Sequence, residues 1–180
     1  MEVIKPDYLR VTEILGVFQD FSMIMPEVLE AACERGTEAH QAIEDYLDMC
    51  FVSDNPYLQS FLKWEEIVKA KVISTEQRFY DDMYKITGQI DLIYQMDGDK
   101  ENEVNIMDFK TPVAKGKTWG CQLAAYKMLV ERNTKQKVKR LFSLRLKKDG
   151  SLPSITEYTE KIDTHTDIFI CALKAYRHLK

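Results

Sequence analysis

Apolar residues recur with a helical period in several parts of the chain. Positions about 3.6 residues apart predict a helix over residues 26–50. A second helix is predicted over residues 56–71, starting at Pro56, a residue type that suits the first helical turn. Residues 118–133 and 163–179 also read as helices. These segments are long enough to cover the faces of a sheet.

The strand pattern lies mainly in the middle of the chain. Stretches rich in β-branched and aromatic residues predict strands near residues 72–80, 84–95 and 103–110. Residues 138–146 alternate as a fourth strand. The order is helices, a three-strand meander, a helix, a strand and a helix. This order predicts an α/β (α+β) fold with a small mixed central β-sheet flanked by helices.

The composition favours an ordinary cytoplasmic domain. With 180 residues, the chain is predicted to form a single domain over 1–180. A hydrophobic content of 45% and a charged content of 30% are typical of a globular protein. No apolar run approaches the roughly 20 residues that span a bilayer, and the first residues lack the apolar core of a signal peptide. We therefore expect no membrane association.

Charge, cysteine spacing and motifs narrow the chemistry. The net charge of −4 argues against non-specific nucleic-acid binding but is compatible with an acidic metal site. The four cysteines are widely spaced, which favours buried reduced thiols; a zinc or iron–sulfur site would require the fold to gather them. There is no P-loop, dinucleotide fingerprint or nucleophilic-serine motif.

Two aspartates lie in the predicted second and third strands. If the hairpin turns about residues 99 and 100, paired residue numbers sum to 199 and Asp91 faces Asp108, with Cβ atoms roughly 5 Å apart. Carboxylates this close repel each other unless a cation lies between them. The alternative is a pair of solvent-facing strand ends, but the flanking residues are apolar. The pair therefore predicts a Mg²⁺ or Mn²⁺ site.

Several other residues have a functional and an ordinary interpretation. Lys110 shares a strand face with Asp108, so it can orient water or stabilise phosphate charge, although it could be an exposed strand-end lysine. Glu76 can reach the acidic cluster if its strand pairs with the next, but could be a surface residue. His40 could be a metal ligand or an incidental helix histidine.

The chain after the third strand carries candidate substrate contacts. Gln122 and Tyr126 are spaced i, i+4 and share a helix face, where they could contact a nucleic-acid backbone or Lys110, or be an incidental polar pair. Lys115 and Lys117 lie in a glycine-containing loop that suits phosphate contact or is simply solvated, and Trp119 could stack on a base. A further basic patch comprises Arg145, Lys147 and Lys148.

Taken in chain order, these residues resemble the PD-(D/E)XK nuclease superfamily, in particular its RecB-like exonuclease branch, which also includes the CRISPR-adaptation nucleases. The matching motifs are Gly36-Thr37-Glu38-Ala39-His40, Glu76, Gly88-Gln89-Ile90-Asp91-Leu92-Ile93, Asp108-Phe109-Lys110-Thr111 and Gln122-Leu123-Ala124-Ala125-Tyr126. The resemblance implies a restriction-endonuclease-like core and one or two Mg²⁺ or Mn²⁺ ions.

The same resemblance assigns roles to the residues. The implied metal ligands are His40, Asp91, Asp108 and the backbone carbonyl of Phe109. Glu76 would be a supporting acid and Lys110 the catalytic lysine. Gln122 and Tyr126 would form the accessory motif that positions the substrate and the lysine. Relatives with an iron–sulfur cluster carry three clustered cysteines near the C-terminus, where this chain has only Cys171, so no cluster is expected.

The sequence therefore predicts metal-dependent hydrolysis of DNA phosphodiester bonds by a stand-alone exonuclease, such as phage or mobile-element genomes encode. One rival is a structure-specific or restriction-type endonuclease of the same fold. The other is a non-catalytic nucleic-acid-binding module. DNA versus RNA, strand and end preference, a homo-oligomer and a recombination partner protein all stay open.

Overall fold

The computed structural model describes Lys5, residues 7–112 and residues 114–179. Within these residues the strands are β1 (Leu9–Arg10), β2 (Lys71–Asp81), β3 (Ile86–Gln95), β4 (Glu103–Lys110), β5 (Lys137–Arg145) and β6 (Ser154–Glu157). The α-helices are α1 (Val11–Leu15), α2 (Pro26–Met49), α3 (Pro56–Val68), α4 (Trp119–Asn133) and α5 (Ile162–Leu179). Short 3₁₀ helices cover Gly16–Phe18 and Thr159–Lys161.

The long predicted elements are confirmed, and most of their ends agree within two residues. The largest error is at the end of α3, which stops at Val68 because Lys69 adopts a left-handed conformation with φ of 49°. The start of α3 has a clear local cause. The Asn55 side chain accepts hydrogen bonds from the backbone amides of Tyr57 and Leu58, and Pro56 follows this cap.

The strands form one mixed sheet with the order β1-β3-β4-β5-β6, and β2 pairs with β3. Strand β2 is antiparallel to β3 along nearly its whole length. The opposite edge of β3 is therefore shared by β1, which is parallel to its start, and β4, which is antiparallel to its end. Strand β5 is parallel to β4, and the crossover between them contains α4. The predicted fold class is confirmed.

The predicted register of β3 and β4 is also confirmed. The paired residues are Leu92 with Met107, Ile93 with Ile106, and Tyr94 with Asn105, and each pair sums to 199. The ladder ends at Leu92 and Met107, so Asp91 and Asp108 come immediately after the last pair. The two aspartates thus lie where β3 and β4 separate.

Hydrophobic clusters cover the two faces of the sheet. The α4-side cluster joins α1, α4 and α5 to the sheet and includes Ile14, Ile86, Ile90, Ile106, Leu129, Leu141, Phe169 and Leu173. The α2-side cluster joins α2 and α3 to the sheet and includes Ala39, Ile43, Phe61, Trp64, Leu92, Tyr94, Met107, Phe109 and Leu144. Each face of the sheet is therefore buried under helices.

Strand β3 changes phase next to Asp91. Ile86 and Ile90 belong to the α4-side cluster, whereas Leu92 and Tyr94 belong to the α2-side cluster. Strict alternation would place all four side chains on one face. The change of phase therefore falls at Asp91, between Ile90 and Leu92.

The remaining predictions about the whole chain have simple outcomes. No helix in the described residues combines the length and apolar composition needed to cross a membrane. All four cysteines are free thiols, but the prediction that they are buried holds only for Cys121 and is wrong for Cys33, Cys50 and Cys171, which are exposed.

Candidate active site

His40 enters the site from the middle of α2. Its neighbour Ala39 and the residue Ile43, one turn later, are fully buried and fix the face that α2 turns to the sheet. The His40 Nδ1 atom lies 3.0 Å from Oε1 of Glu76 and 3.6 Å from Oδ1 of Asp91. The imidazole and Phe109 rings also pack edge-to-face, at a centroid distance of 5.7 Å. Helix α2 thereby delivers one nitrogen donor to two carboxylates.

Glu76 lies on β2, opposite Asp91 of β3, at a position where the β2 backbone is irregular. The flanking pairs are Thr75 with Leu92 and Gln77 with Ile90, and Glu76 itself has a left-handed φ of 44°. Such a conformation is uncommon for a residue with a side chain and redirects it locally. The structure places Glu76 beside Asp91 and His40, with one ligand atom of each within 4.8 Å of the others, while its role in catalysis stays a prediction.

Asp91 is 6% exposed and uses its two oxygens differently. Oδ2 accepts a hydrogen bond of 2.5 Å from the backbone amide of Phe109, and Oδ1 faces His40. This hydrogen bond from the Phe109 backbone replaces the strand pairing that β3 and β4 lose at this point. Asp91 therefore closes the end of the ladder with its side chain.

Asp108 and Lys110 belong to a second, adjoining network. The Lys110 Nζ atom lies 2.5 Å from Oδ2 of Asp108 and donates a hydrogen bond of 3.1 Å to Oε1 of Gln122. The Gln122 amide nitrogen donates to Oδ1 of Asp108 and to the Tyr126 hydroxyl, both at 2.8 Å. Gln122 thus bridges the lysine and the aspartate, consistent with the expectation that it is directed at Lys110.

The close charges shift the acid–base properties of the site. Burial disfavours the charged form of His40, but Asp91, Glu76 and Asp108 outweigh it and raise its pKa to about 9. Burial raises the pKa of Asp91 to about 7, helped by Asp108 and Glu76 and opposed by His40. Burial, together with Asp108 and Asp91, raises the pKa of Tyr126 well above its usual value. Negative charge is concentrated here, and a cation is favoured.

The donors fit a divalent metal ion. One ligand atom from each of His40, Glu76 and Asp91 lies within 4.8 Å of the other two. Imidazole nitrogen and carboxylate oxygens suit Mn²⁺ and related ions, and carboxylates suit Mg²⁺. Buried Oδ2 of Asp108 accepts no aligned hydrogen bond from any described residue, although Lys110 lies beside it. An additional cation contact would satisfy this oxygen.

The group of possible metal ligands in the structure differs from the predicted set of His40, Asp91, Asp108 and the Phe109 carbonyl. The compact group contains Glu76, whereas Asp108 lies next to it and is engaged by Lys110 and Gln122. The ligand role of Asp108 and that of the Phe109 carbonyl remain predictions.

The placement of Trp119 does not fit the prediction that its side chain stacks on a base. Its side chain is only 7% exposed and belongs to the α4-side cluster. The indole packs so closely on Gly116 that a Cβ at position 116 would lie 2.3 Å from the indole nitrogen. One face of the ring lies 5.7 Å from Lys110 Nζ. The indole supports the loop and the lysine and does not offer a free stacking face. Lys115 and Lys117 are exposed, as a phosphate contact requires.

The sequence analysis assigned no role to Gln89, although it lies in one of the matching motifs, and it missed Arg78. Gln89 donates a hydrogen bond of 2.8 Å to Oε2 of Glu76, and Arg78 donates to the Gln89 side-chain oxygen. These contacts fix the second oxygen of Glu76. Alternation along β3 places Gln89 on the same face as Asp91, and that signal could have identified it.

A model of the PD-(D/E)XK nuclease superfamily matches residues 55–176, about two thirds of the chain. The chain belongs to the PD-(D/E)XK nuclease superfamily. The matched range contains Glu76, Asp91, Asp108, Lys110 and Gln122, whereas His40 precedes it. The mixed sheet flanked by helices is accordingly a restriction-endonuclease-like core. PD-(D/E)XK nucleases use divalent metals, and the His40, Glu76 and Asp91 group has the composition of such a site.

Solved structures with a related arrangement include two described as exonucleases. The alkaline exonuclease from Laribacter hongkongensis has 12% sequence identity and a TM-score of 0.46, with 94% of this chain and 89% of that chain covered. A proposed exonuclease from Eubacterium rectale has 10% identity and a TM-score of 0.43, with 94% and 82% covered. A comparison with curated proteins found no match.

Proposed function

We propose that this PD-(D/E)XK protein is a Mg²⁺- or Mn²⁺-dependent exonuclease that hydrolyses phosphodiester bonds in DNA. The observation that carries the proposal is the presence of two adjacent polar networks where the β3–β4 ladder ends, linked by the hydrogen bond from the Phe109 amide to Asp91. One is the donor group of His40, Glu76 and Asp91, and the other joins Asp108 and Lys110 through Gln122. A binding module has no need for this arrangement, because apposed carboxylates repel a phosphate.

The donor group would hold the metal, with Asp108 as its neighbour. His40, Glu76 and Asp91 supply a nitrogen and carboxylate oxygens, and Gln89 keeps Glu76 oriented toward His40. A divalent ion bound there lowers the pKa of water and offsets negative charge on the phosphate. The amide of Phe109 holds Asp91 in place, so the ligand geometry is fixed by β4 as well as by β3.

Lys110 is the proposed catalytic lysine. Its side chain is 15% exposed, and its ammonium group is held by Asp108 and Gln122, so it is positioned before substrate arrives. A positioned ammonium can donate a hydrogen bond to the attacking water and stabilise charge on a phosphate oxygen. Gln122 acts as a positioning residue because it contacts both Lys110 and Asp108.

Support for exonuclease action comes from the accessory motif. Gln122 and Tyr126 occupy the positions of the RecB-like motif in the sequence resemblance, and both point into the site from α4. This resemblance favours cleavage from strand ends over cleavage within a strand. The origin in a phage or mobile element and the action in the cytoplasm belong to the same proposal.

The test is a cleavage assay with several forms of DNA. The purified protein is incubated with Mg²⁺ or Mn²⁺ and end-labelled linear single-stranded or double-stranded DNA, beside covalently closed circles. Asp108→Asn removes the charge of the aspartate but keeps its shape and an oxygen that accepts from Gln122. Asp97→Ala, an exposed turn aspartate between β3 and β4, is the matched control.

Cleavage of linear DNA only, retained in Asp97→Ala and lost in Asp108→Asn, is the expected result. Cutting of closed circles would show that the protein is an endonuclease that uses the same site. Intact DNA with every metal, from a protein with an unchanged melting temperature, would overturn the proposed enzymatic function. Cleavage by Asp108→Asn at the wild-type rate would show that the charge of Asp108 has no role in catalysis.

A further inference from the structure

A cavity of about 670 Å³ lies beside the candidate active site and is not part of it. It is formed by the loop after β4, the end of β6 and the start of α5. Its lining residues are Lys115, Gly116, Lys117, Glu157, Tyr158, Glu160, Lys161 and His165. A volume of this size is within the range of about 300–1,000 Å³ that small-molecule sites occupy.

The cavity lining carries three lysines that form no ion pair with any described residue. In the described part of the chain, none of Lys115, Lys117 and Lys161 forms a salt bridge. The two glutamates of the lining, Glu157 and Glu160, are exposed and do not neutralise them by direct contact. Unpaired ammonium groups around a concave surface attract an anion and repel a metal cation.

Tyr158 supplies an independent indication of a ligand. Its side chain is 8% exposed, yet its hydroxyl has no hydrogen-bond partner among the described residues. A buried hydroxyl usually has a partner, because an unsatisfied polar group is costly. The Lys115 ammonium lies 4.7 Å from the centre of the Tyr158 ring, so the lysine and the unsatisfied tyrosine line the same space.

His165 forms a fixed wall of the cavity. Its ring packs edge-to-face on Tyr158 at a centroid distance of 5.7 Å, and Nδ1 lies 3.9 Å from the sulfur of Cys121. A Cβ at Gly120 would come within 2.5 Å of Nε2, which shows how closely α4 and α5 approach here. Close packing on both sides restricts the ring, so this part of the cavity is formed without a ligand.

The cavity adjoins the candidate active site through Trp119. The indole packs on Gly116, a cavity residue, and its ring also lies near Lys110. The loop that carries Lys115 and Lys117 begins just after Lys110. A nucleotide held in the cavity would therefore lie beside the lysine that the proposed reaction uses.

We propose that this cavity binds the phosphate of a nucleotide, with Lys115, Lys117 and Lys161 as the cationic contacts and the Tyr158 hydroxyl as a hydrogen-bond donor. The inference rests on the proposed nuclease function and extends it to a second phosphate site. Two sources share this chemistry. One is the phosphorylated end of the nucleic-acid strand, and the other is a free nucleoside monophosphate.

The test is a binding measurement in EDTA, where cleavage is suppressed. The probes are a short oligothymidylate with a 5′-phosphate, the same oligonucleotide without it, and thymidine 5′-monophosphate. The variants are Lys115→Ala and Lys161→Ala, and Lys174→Ala is the matched control because it is an exposed lysine on α5, outside the cavity. The imidazole NMR signals of His165, assigned with His165→Gln, report on the cavity directly.

We expect the phosphorylated oligonucleotide or the monophosphate to bind and to shift the His165 signals. Each cavity substitution should weaken that binding by roughly tenfold, as loss of a charge-assisted contact does, while Lys174→Ala binds as wild type. Preference for the oligonucleotide identifies a strand end as the ligand. Preference for the monophosphate identifies a free nucleotide. Each preference supports a phosphate site.

Equal affinity of the wild type and both cavity variants for every probe, with unmoved His165 signals, would overturn the inference. That failure is separable from failure of the proposed function. Active DNA cleavage without phosphate binding in the cavity would overturn only this inference. Phosphate binding without cleavage under any metal condition would overturn only the nuclease proposal.

Discussion

At the scale of single residues, the site is defined by a histidine between two carboxylates. Nearby negative charge favours the imidazolium form of His40, while burial favours the neutral form of Asp91. A metal ion requires neutral imidazole and ionised carboxylate, so protons and metal compete for the same atoms.

This competition predicts a pH dependence. The pKa of His40 is raised from 6.5 to about 9 and that of Asp91 from 3.8 to about 7, so their protonated forms stabilise the fold. The His40 contribution is complete below pH 6.5 and is lost toward about 9, and the Asp91 contribution is lost between 3.8 and about 7. In EDTA the melting temperature should fall as the pH rises through these two windows. The increase in melting temperature caused by millimolar Mg²⁺ should become larger over the same pH range.

The check is a series of thermal melts at several pH values, with and without Mg²⁺. His40→Gln should flatten the part of the EDTA curve between pH 6.5 and about 9. A Mg²⁺-induced increase that does not vary with pH would exclude His40 and Asp91 as competing proton sites.

Gln122 provides a second prediction at the residue scale. Gln122→Ala removes the hydrogen bonds to Lys110 and Asp108, and a lysine displaced by about 1 Å can cost about 10²-fold in kcat. Tyr126→Phe loses only the contact to Gln122 and should cost less. Gln41→Ala, on the exposed side of α2, is the control in a steady-state cleavage assay. Unchanged kcat in Gln122→Ala would show that Lys110 needs no such support.

The register that brings Asp91 and Asp108 to the end of the β3–β4 ladder followed from the sequence, because hairpin register depends on local turn geometry and alternation. The burial of Trp119 did not, because it depends on Gly116 and on elements distant in the chain. The left-handed backbone conformation at Glu76 could not be predicted from the sequence either, since glutamate has no preference for that conformation.

At the scale of elements, α4 lies unusually close to β3. A Cβ at Gly88 would approach the Tyr126 ring to 2.7 Å and the Leu129 side chain to 2.9 Å. The glycine leaves room for the tyrosine that accepts the hydrogen bond of Gln122. Packing between a strand and a helix thereby sets the depth at which the accessory motif enters the site.

Gly88→Ala should therefore destabilise the protein and disturb the site together. The added methyl must displace Tyr126 or Leu129, and overpacking of this kind costs about 1–3 kcal/mol. Gly16→Ala is the control because nothing lies within 4 Å of a Cβ at that position and φ is −58°. Urea denaturation measures the cost. A Gly88→Ala midpoint equal to that of Gly16→Ala would contradict the close packing.

The short elements could not be predicted from the sequence. Strand β1 has two residues, β6 has four, and α1 has five. Periodicity needs longer windows, so Val11, Ile14 and Leu15 gave too little signal, although all three are buried. These elements form because the sheet and α4 provide surfaces for them, which a single-sequence pattern does not contain.

At the scale of the whole molecule, one sheet separates two hydrophobic clusters. Phe61 of α3 is fully buried in the α2-side cluster, and Phe169 of α5 is fully buried in the α4-side cluster. The sheet contributes residues to both clusters, so loss of packing on one face weakens the support for the other. The single domain predicted from the chain length requires this coupling.

A pair of core substitutions tests the coupling. Phe61→Ala and Phe169→Ala should each lower the free energy of unfolding by about 3–5 kcal/mol, the usual cost of truncating a buried phenylalanine. Each should retain one cooperative urea transition seen alike by circular dichroism and fluorescence. Phe21→Ala, at an exposed position, should change stability little. Two separated transitions in either core variant would instead indicate independent folding units.

The bond from the Phe109 amide to Asp91 also links the site to backbone motion. In an ordinary ladder an amide hydrogen is held by a strand carbonyl, and its exchange with deuterium reports opening of the sheet. Here the acceptor is a carboxylate whose charge depends on protonation and on the bound cation. The exchange rate at Phe109 should therefore change with the state of the site while its strand neighbours stay constant. A single backbone position would then record occupancy without substrate.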